Sequence, residues 1–136
     1  MVDASVWVSR LVLADSHYAA SRAWLAARTD AGEVLAMPSI VLPEVAGAVA
    51  RRTGSGQLAR RAASVLQKIP GVRLAPVDQE MTLLAVDLAA SLRLRGADAL
   101  YVALAQRLSV PLVTWDEEQR RRAGSAVQTV TPQEAA

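Results

Sequence analysis

Residues 96–105 read Gly-Ala-Asp-Ala-Leu-Tyr-Val-Ala-Leu-Ala and form the most apolar part of a helix that the sequence predicts over 97–108. No charged residue occurs in the seven positions that follow Asp98. A helix without a polar face must be buried on almost all sides, which places it in the middle of a domain. Its N-terminus, where Asp98 lies, should then be close to the edge of a sheet.

Short apolar strands alternate with helices on both sides of this segment. The strands are predicted at the very start of the chain and over 34–36, 73–75, 112–114 and 126–130. The other helices are predicted over 5–13, 15–29, 39–52, 57–69, 78–94 and 116–123. This alternation indicates an α/β fold of three layers, α/β/α, in which helices cover both faces of a central parallel sheet. We expect one domain over 1–131 and a short polar C-terminal tail over 132–136.

The first strand is unusually short, because only Met1 and Val2 precede Asp3. Either a strand residue or two upstream of Met1 is missing from this sequence, or the strand begins at the terminus. The sequence leaves both possibilities open.

The composition excludes several kinds of functional site. The 136 residues include no cysteine and one histidine, His17, so thiolate zinc sites, disulfides, cysteine nucleophiles and histidine-rich metal sites are excluded. Any bound metal must therefore have oxygen ligands. No uncharged run approaches the ~18 residues of a membrane span, and the N-terminus lacks a basic region followed by an apolar stretch. We expect a soluble, cytoplasmic protein with no membrane partner.

The basic residues are 14 arginines and one lysine, and the formal net charge is +2. Arginine binds phosphate and carboxylate groups in bidentate fashion, which suits a nucleic acid or an acidic partner. A composition rich in alanine and arginine is equally typical of genomic base bias. The charge alone therefore decides nothing about function.

Four carboxylates are predicted at one edge of the sheet. Asp3 and Asp116 each follow a strand and precede a helix, and ligands bind at the carboxyl ends of parallel strands. Asp98 opens the buried helix. Glu44 lies in the apolar stripe of its helix, where an unpaired carboxylate would cost several kcal/mol, so it requires a partner such as a cation. The other residues of that stripe are Ile40, Val41, Val45, Ala48 and Val49.

Each acid taken alone has an ordinary explanation. Asp3, Asp98 and Asp116 can be helix N-caps, and Glu44 can form a buried salt bridge with an arginine. Four acids that lie together repel one another, however, and a divalent cation such as Mg²⁺ or Mn²⁺ would neutralise them while it keeps some of its waters. A bound ion of this kind can lower the pKa of a water that attacks a phosphodiester.

Two hydroxyl groups lie beside the acids in the sequence. Thr114 and Ser5 can orient a carboxylate or a water, although capping of the helix backbone is the simpler role for Ser5.

At these residues the sequence resembles the PIN-domain family and, within it, the VapC-type toxins of bacterial and archaeal toxin–antitoxin pairs. The similar segments cover nearly the whole chain and are 2–6, Pro38-Ser39 with Glu44, 96–105 and 113–116. The resemblance implies a PIN-like fold with a central parallel sheet of about five strands. It implies that Asp3, Glu44 and Asp98 are the core metal-binding acids and that Asp116 is the fourth. It also implies endonucleolytic cleavage of RNA with Mg²⁺ or Mn²⁺, a homodimer, and a cognate antitoxin of the VapB type.

The remaining candidates concern contact with RNA. For the RNA backbone we first consider four arginines, namely Arg10, Arg51, Arg93 and Arg95. His17 is predicted to be a surface or partly packed residue. Trp7, Trp24 and Trp115 are predicted to be core or dimer contacts in preference to platforms for base stacking.

Two alternative functions remain. The first is a catalytically silent module that binds protein or RNA, which the presence of all four acids disfavours and a lack of metal affinity would favour. The second is a phosphotransfer domain, of the receiver or haloacid-dehalogenase type, with an aspartate at a strand end. That class needs a second acid two residues after Asp3 and a lysine after a late strand, but residue 5 is serine and the only lysine is Lys68.

Overall fold

A computed structural model of the chain describes residues 1–135, in which seven α-helices alternate with four short β-strands. The helices are α1 (Ala4–Leu11), α2 (Tyr18–Asp30), α3 (Val41–Thr53), α4 (Gly56–Lys68), α5 (Gln79–Leu92), α6 (Gly96–Leu108) and α7 (Glu117–Ala123). The strands are β1 (Leu35–Pro38), β2 (Val72–Ala75), β3 (Leu112–Val113) and β4 (Thr129–Val130). The predicted alternation of helices and strands is confirmed.

The N-terminal segment Met1–Asp3 connects two pairs of parallel strands. β1 pairs with β2, and β3 pairs with β4. On one side of the segment, the Val2 N–H donates to the Ala36 carbonyl at 3.2 Å. On the other side, the Val113 N–H donates to the Met1 carbonyl at 2.8 Å and the Asp3 N–H donates to the Val113 carbonyl at 3.0 Å. The spatial order is therefore β2, β1, the segment, β3 and β4.

The single sheet of about five strands is not confirmed. Residues 1–135 contain two sheets of two strands each, and the N-terminal segment makes one isolated parallel bridge, from Val2 to Val113. The physical reason is the lack of space before α1. Asp3 already serves as the N-cap of that helix, and its carboxylate accepts the Ser5 N–H at 2.9 Å. Too few residues precede Asp3 for successive ladder pairs.

Helix α6 forms the middle of the core, as its composition predicts. All residues from Ala99 to Ala105 are buried, and the helix packs against α5, β1 and β3. Such burial of apolar surface is the main favourable term in folding. Trp7, Met37 and Val41 are almost completely buried in the same core.

Two predicted helix starts are wrong by a few residues. Helix α2 begins at Tyr18, after His17, and not at residue 15 as the sequence predicts. The Asp15 carboxylate instead accepts the His17 backbone N–H at 2.9 Å and stabilises the turn before the helix. Ser39 precedes α3, because its N–H donates to the Ala75 carbonyl at 2.8 Å and so extends the hydrogen bonding between β1 and β2.

The predicted polar tail contacts the body of the domain over the part that the structure describes. Arg120 and Glu134 form an ion pair at 2.8 Å, and the Arg28 guanidinium donates to the Ala135 carbonyl at 2.9 Å. Residue 136 lies outside the described residues. Within 1–135, the helices are too short or too polar for any of them to cross a lipid bilayer.

The turn before β2 provides a test of the fold. Gly71 has a φ of +83°, and a Cβ at this position would collide with the Glu33 carbonyl oxygen. The Gly71 carbonyl also accepts the Leu35 N–H at 2.9 Å, which holds β1 beside β2. We expect Gly71→Ala to lower the free energy of unfolding by about 2–4 kcal/mol in urea denaturation.

Gly54→Ala is the matched control for this substitution. Gly54 has a similar φ of +70°, but no atom lies within 4 Å of an added Cβ. Gly54→Ala should therefore lower the free energy of unfolding only by the cost of placing an alanine in the left-handed conformation, about 1 kcal/mol. Equal losses for the two variants would contradict the proposed collision at Gly71.

Candidate metal centre

One pocket of about 630 Å³ is lined by all four of the acids that the sequence singles out. Each acid lies at the N-terminus of a different helix. Asp3 and Asp116 are the N-caps of α1 and α7, while Glu44 and Asp98 lie in the first turns of α3 and α6. The N-terminus of a helix carries partial positive charge, which favours a carboxylate there. This placement is one reason that the fold tolerates four acids in one pocket.

Asp3 is the most buried of these acids, with 6% of its surface exposed. One carboxylate oxygen accepts the Ser5 N–H at 2.9 Å, and the other accepts the Gln119 side-chain amide at 3.3 Å. Gln119 itself is 1% exposed. Asp3 is therefore an N-cap, as the ordinary explanation predicts. Its carboxylate nevertheless lies in the wall of the pocket.

Glu44 is paired with a tyrosine instead of an arginine. The Tyr101 hydroxyl donates to Glu44 Oε2 at 2.6 Å, and no ion pair among residues 1–135 includes Glu44. The salt-bridge alternative is therefore wrong. Burial raises the pKa of Glu44, the hydrogen bond from Tyr101 lowers it in part, and the nearby charges of Asp3 and Asp98 raise it further.

Asp98 and Asp116 share one arginine. Arg95 Nε lies 3.1 Å from Asp98 Oδ2, and Arg95 Nη2 lies 2.7 Å from Asp116 Oδ2. Burial raises the pKa of Asp98 to about 6, with the charges of Asp3 and Asp116 acting in the same direction, although Arg95 opposes the shift. Burial is therefore the main reason that the charged form of Asp98 is disfavoured, and Arg95 offsets it only in part.

The acids line one pocket without forming a ready-made cage for a cation. Within residues 1–135, no three acidic side chains stand close enough together to hold a metal ion. Each acid is bonded to a neighbouring side chain instead: Arg95 contacts Asp98 and Asp116, the Tyr101 hydroxyl contacts Glu44, and the Gln119 amide contacts Asp3. The assignment of these acids as metal ligands thus stays a prediction.

The chemistry of the donor groups nevertheless fits a hard divalent cation. All four side chains are carboxylates, and two of them have pKa values raised by burial and by like charges. The Arg95 side chain is 69% exposed, so it is free to rotate towards solvent. A cation bound by Asp98 and Asp116 would replace the guanidinium.

Ser5 and Thr114 support the site through the backbone. The Ser5 and Thr114 hydroxyls lie 3.2 Å apart. The Trp115 N–H donates to Ser5 Oγ, and the Asp116 N–H donates to Thr114 Oγ1, both at 3.1 Å. The Ser5 hydroxyl thus bonds to a backbone N–H, as its simpler role predicts, but to that of the loop after β3 and not to that of α1. The two hydroxyls hold the loop after β3, which positions Asp116.

The four candidate arginines divide into two groups. Arg51 and Arg95 line the pocket, whereas Arg10 and Arg93 do not. Arg93 lies at the C-terminal end of α5 with a φ of +57°, and its carbonyl accepts a hydrogen bond from Arg122. Arg52, which the sequence analysis did not consider, lines the pocket as well and pairs with Asp15.

Sequence analysis also missed two residues that contact the acids. Tyr101 follows Asp98 by three positions in α6, and Gln119 follows Asp116 by three positions. Residues at this spacing lie on the same side of a helix. Listing the polar residues three positions after each acid would have identified both.

Fold and site together define a parallel α/β protein with a pocket of carboxylates at converging helix N-termini. The sequence matches the family model described as PIN domain over residues 1–125. The chain therefore belongs to the PIN-domain family, and the PIN-like fold that its sequence predicts is confirmed.

Two solved structures are similar to this chain over nearly its full length. VapC20 from Mycobacterium tuberculosis, described as a toxin that cleaves the sarcin–ricin loop, is 18% identical, with a TM-score of 0.76 over 93% of this chain and 94% of that chain. VapBC2 from Rickettsia felis, bound to a DNA fragment from its promoter, is 15% identical, with a TM-score of 0.72 over 96% of each chain. At these identities the similarity shows a shared fold. A comparison with curated protein sequences finds no match.

The raised pKa of Asp98 predicts a pH dependence of stability in the presence of a chelator. Because the folded state binds a proton at Asp98 with a pKa of about 6, against 3.8 ordinarily, stability falls as pH rises from about 4 to 6. Above pH 6 the destabilisation by the charged Asp98 is fully present. Asp98→Asn should remove this destabilisation, so the free energy of unfolding of the variant should exceed that of the wild type by on the order of 1–2 kcal/mol at pH 7.

The measurement is urea denaturation of both proteins from pH 4 to pH 8. The buried Met1 amino group, whose pKa burial lowers to about 6, also titrates, but it is common to both proteins and cancels in the difference. A difference that does not grow between pH 4 and pH 6 would contradict the raised pKa of Asp98.

Proposed function

We propose that this chain is a metal-dependent endoribonuclease and the toxin of a VapBC-type toxin–antitoxin pair. The observation that carries the proposal is the pocket in which a PIN-family domain gathers Asp3, Glu44, Asp98 and Asp116. We assign these four acids both as catalytic residues and as the groups that hold Mg²⁺ or Mn²⁺. A bound divalent ion would lower the pKa of an attacking water and offset charge on the phosphate oxygens.

The chain's own residues would prepare the pocket for hydrolysis. The Tyr101 hydroxyl holds Glu44 through Oε2, and among residues 1–135 no hydrogen bond occupies Oε1. Oε1 is therefore available to a cation or to a water in the pocket. Ser5 and Thr114 hold the loop that carries Asp116, and Arg51 on the rim provides a positive charge for the RNA backbone.

The proposal includes partners. The substrate is RNA, and the inhibitor is a cognate antitoxin of the VapB type, a pairing for which the Rickettsia felis complex is a precedent within the fold. A homodimer is supported by apolar side chains on the outer face of α5, where Leu83 is 59% and Val86 is 56% exposed. We place the protein in the cytoplasm, where its RNA substrate would be.

A specific observation favours one alternative. Arg95 pairs with Asp98 and Asp116, and a chain that kept this arrangement permanently would be a catalytically silent module that binds RNA or protein. The two functions differ in whether a metal ion can replace the guanidinium.

Activity is tested with purified protein, a panel of structured RNAs, and Mg²⁺ or Mn²⁺. We expect internal cleavage of at least one RNA, loss of cleavage when a chelator is added, and a decrease of about 100-fold or more in Asp98→Asn. Asp87→Asn is the matched control, because Asp87 is exposed on α5 and does not line the pocket. Cleavage that survives both the chelator and Asp98→Asn would exclude the proposed chemistry.

The displacement of Arg95 is tested by metal binding without RNA. Arg95→Ala removes the guanidinium that competes for Asp98 and Asp116, so Mn²⁺ should bind roughly 2- to 10-fold more tightly, as measured by calorimetry. Arg107→Ala is the control, since Arg107 also pairs with an acid, Glu80, at 2.9 Å but lies outside the pocket. If Arg95→Ala binds Mn²⁺ no better than Arg107→Ala, the guanidinium does not compete with the metal.

A further inference from the structure

His17 and Trp115 form a stacked aromatic pair in the wall of the acidic pocket. Their ring centroids are 3.9 Å apart, and the ring planes differ by 8°. Both residues are half-buried and both line the pocket that contains the four acids. Trp7 and Trp24, in contrast, are 1% and 9% exposed and belong to the core, as the sequence predicts. Trp115 is therefore the tryptophan with a surface available to a ligand.

A chain of buried hydroxyl groups holds the Trp115 indole in place. Its Nε1 donates to Ser21 Oγ at 2.7 Å, and the Ser21 and Ser9 hydroxyls lie 2.6 Å apart. Ser9 Oγ in turn donates to the Val6 carbonyl at 3.0 Å. Ser21 and Ser9 are 0% and 2% exposed. Two buried hydroxyls that fix a half-exposed indole indicate that the orientation of the ring matters at this surface.

The surroundings of the pair suit a nucleotide better than a small apolar ligand. Val8 and Ala48 provide apolar wall, and Arg51 and Arg52 provide positive charge. Asp15, an acid that also lines the pocket, forms an ion pair with Arg52. Arg51 has no carboxylate partner within residues 1–135, so its charge is available to a phosphate.

The position of the pair along the chain connects it to the acids. Trp115 directly precedes Asp116, and the same hydroxyls of Ser5 and Thr114 anchor the backbone of both residues. An aromatic surface is thus held rigidly beside a carboxylate of the candidate metal centre. The aromatic pair and the four acids line the same pocket, so a ligand bound at the acids lies next to this surface.

We propose that the His17–Trp115 pair is a stacking platform for a nucleobase of single-stranded RNA, next to the phosphodiester that enters the acidic pocket. This inference rests on the proposed ribonuclease function and assigns a base-binding subsite to it. Stacking on aromatic rings is sequence-tolerant, because every base has a π face, and it requires the target nucleotide to be unstacked from its neighbours. The platform therefore selects loops and bulges over paired RNA.

The test measures the binding of a labelled single-stranded RNA oligonucleotide by fluorescence anisotropy. All proteins carry Asp98→Asn, which prevents cleavage, and Mg²⁺ is present. His17→Ala should weaken binding roughly 5- to 150-fold, the range that removal of one stacking contact produces. His17→Phe should restore most of the affinity, because a phenyl ring also stacks. Circular dichroism establishes that each variant is folded.

Tyr18→Ala is the matched control. Tyr18 is the aromatic neighbour of His17 and is also half-buried, but it does not line the pocket, so its removal should leave RNA binding within about 2-fold of the parent. A loss as large as that of His17→Ala would attribute the effect to the loop and overturn the platform.

A second series replaces each nucleotide of the RNA in turn by an abasic residue. In the parent protein, one abasic position should weaken binding by about as much as His17→Ala does, and in His17→Ala the same position should have little further effect. A uniform response along the RNA would overturn the platform, because it would indicate contacts to the backbone alone. The platform would also be overturned if His17→Phe bound the RNA as weakly as His17→Ala does. That result would indicate that the imidazole acts through charge or hydrogen bonding.

The outcomes separate this inference from the proposed function. If the wild type cleaves RNA and His17→Ala binds RNA as the parent does, the ribonuclease assignment stands and the platform is wrong. If His17→Ala weakens only the complex with an antitoxin, the pair is a protein contact and the platform is again wrong. If the wild type cleaves no RNA but both binding series behave as expected, the platform stands in a silent RNA-binding module.

Discussion

The backbone hydrogen bonds of the Met1–Asp3 segment are the constraint on which the rest of the structure depends. They connect β1 on one side with β3 on the other, so that two small sheets act as one support for the helices. They also determine where Asp3 lies, since its N–H is bonded to the Val113 carbonyl, three residues before Asp116. Two acids from opposite ends of the chain therefore meet because of backbone pairing, before any attraction to a cation is considered.

Electrostatics then decides how the acids behave. Four carboxylates can share one pocket because their negative charge is stabilised by helix N-termini, a tyrosine hydroxyl, a glutamine amide and a guanidinium. This stabilisation is incomplete, because the pKa values of Glu44 and Asp98 remain raised. Binding a divalent ion would exchange one exposed cation, Arg95, for a smaller cation of higher charge. The affinity for metal would therefore depend on Arg95 as well as on the acids.

The helices and the positions of the acids could be predicted because their signals are local. An uncharged run marks α6, and a single acid in an apolar stripe marks Glu44. The sheet could not be predicted as well, since β3 and β4 have two residues each and are too short to show periodicity. The Arg95 bridge and the stacking of His17 on Trp115 join residues that are distant in sequence, and nothing local marks such contacts. His17, a lone histidine, was expected to be a surface or partly packed residue, and it is indeed half-buried.

The N-terminal segment also has a consequence for the order of folding. The contact of Val2 with Ala36 closes a loop about as short as that of the β1–β2 pairing, whereas the Met1 amino group bonds to the Pro111 carbonyl 110 residues further along the chain. Closing a longer loop costs more entropy, so we expect the contact of the N-terminal segment with β3 to form last. Asp3 would then meet Asp116, which follows β3, only at the final step. A nascent or partly folded chain would therefore lack a complete set of carboxylates in this pocket.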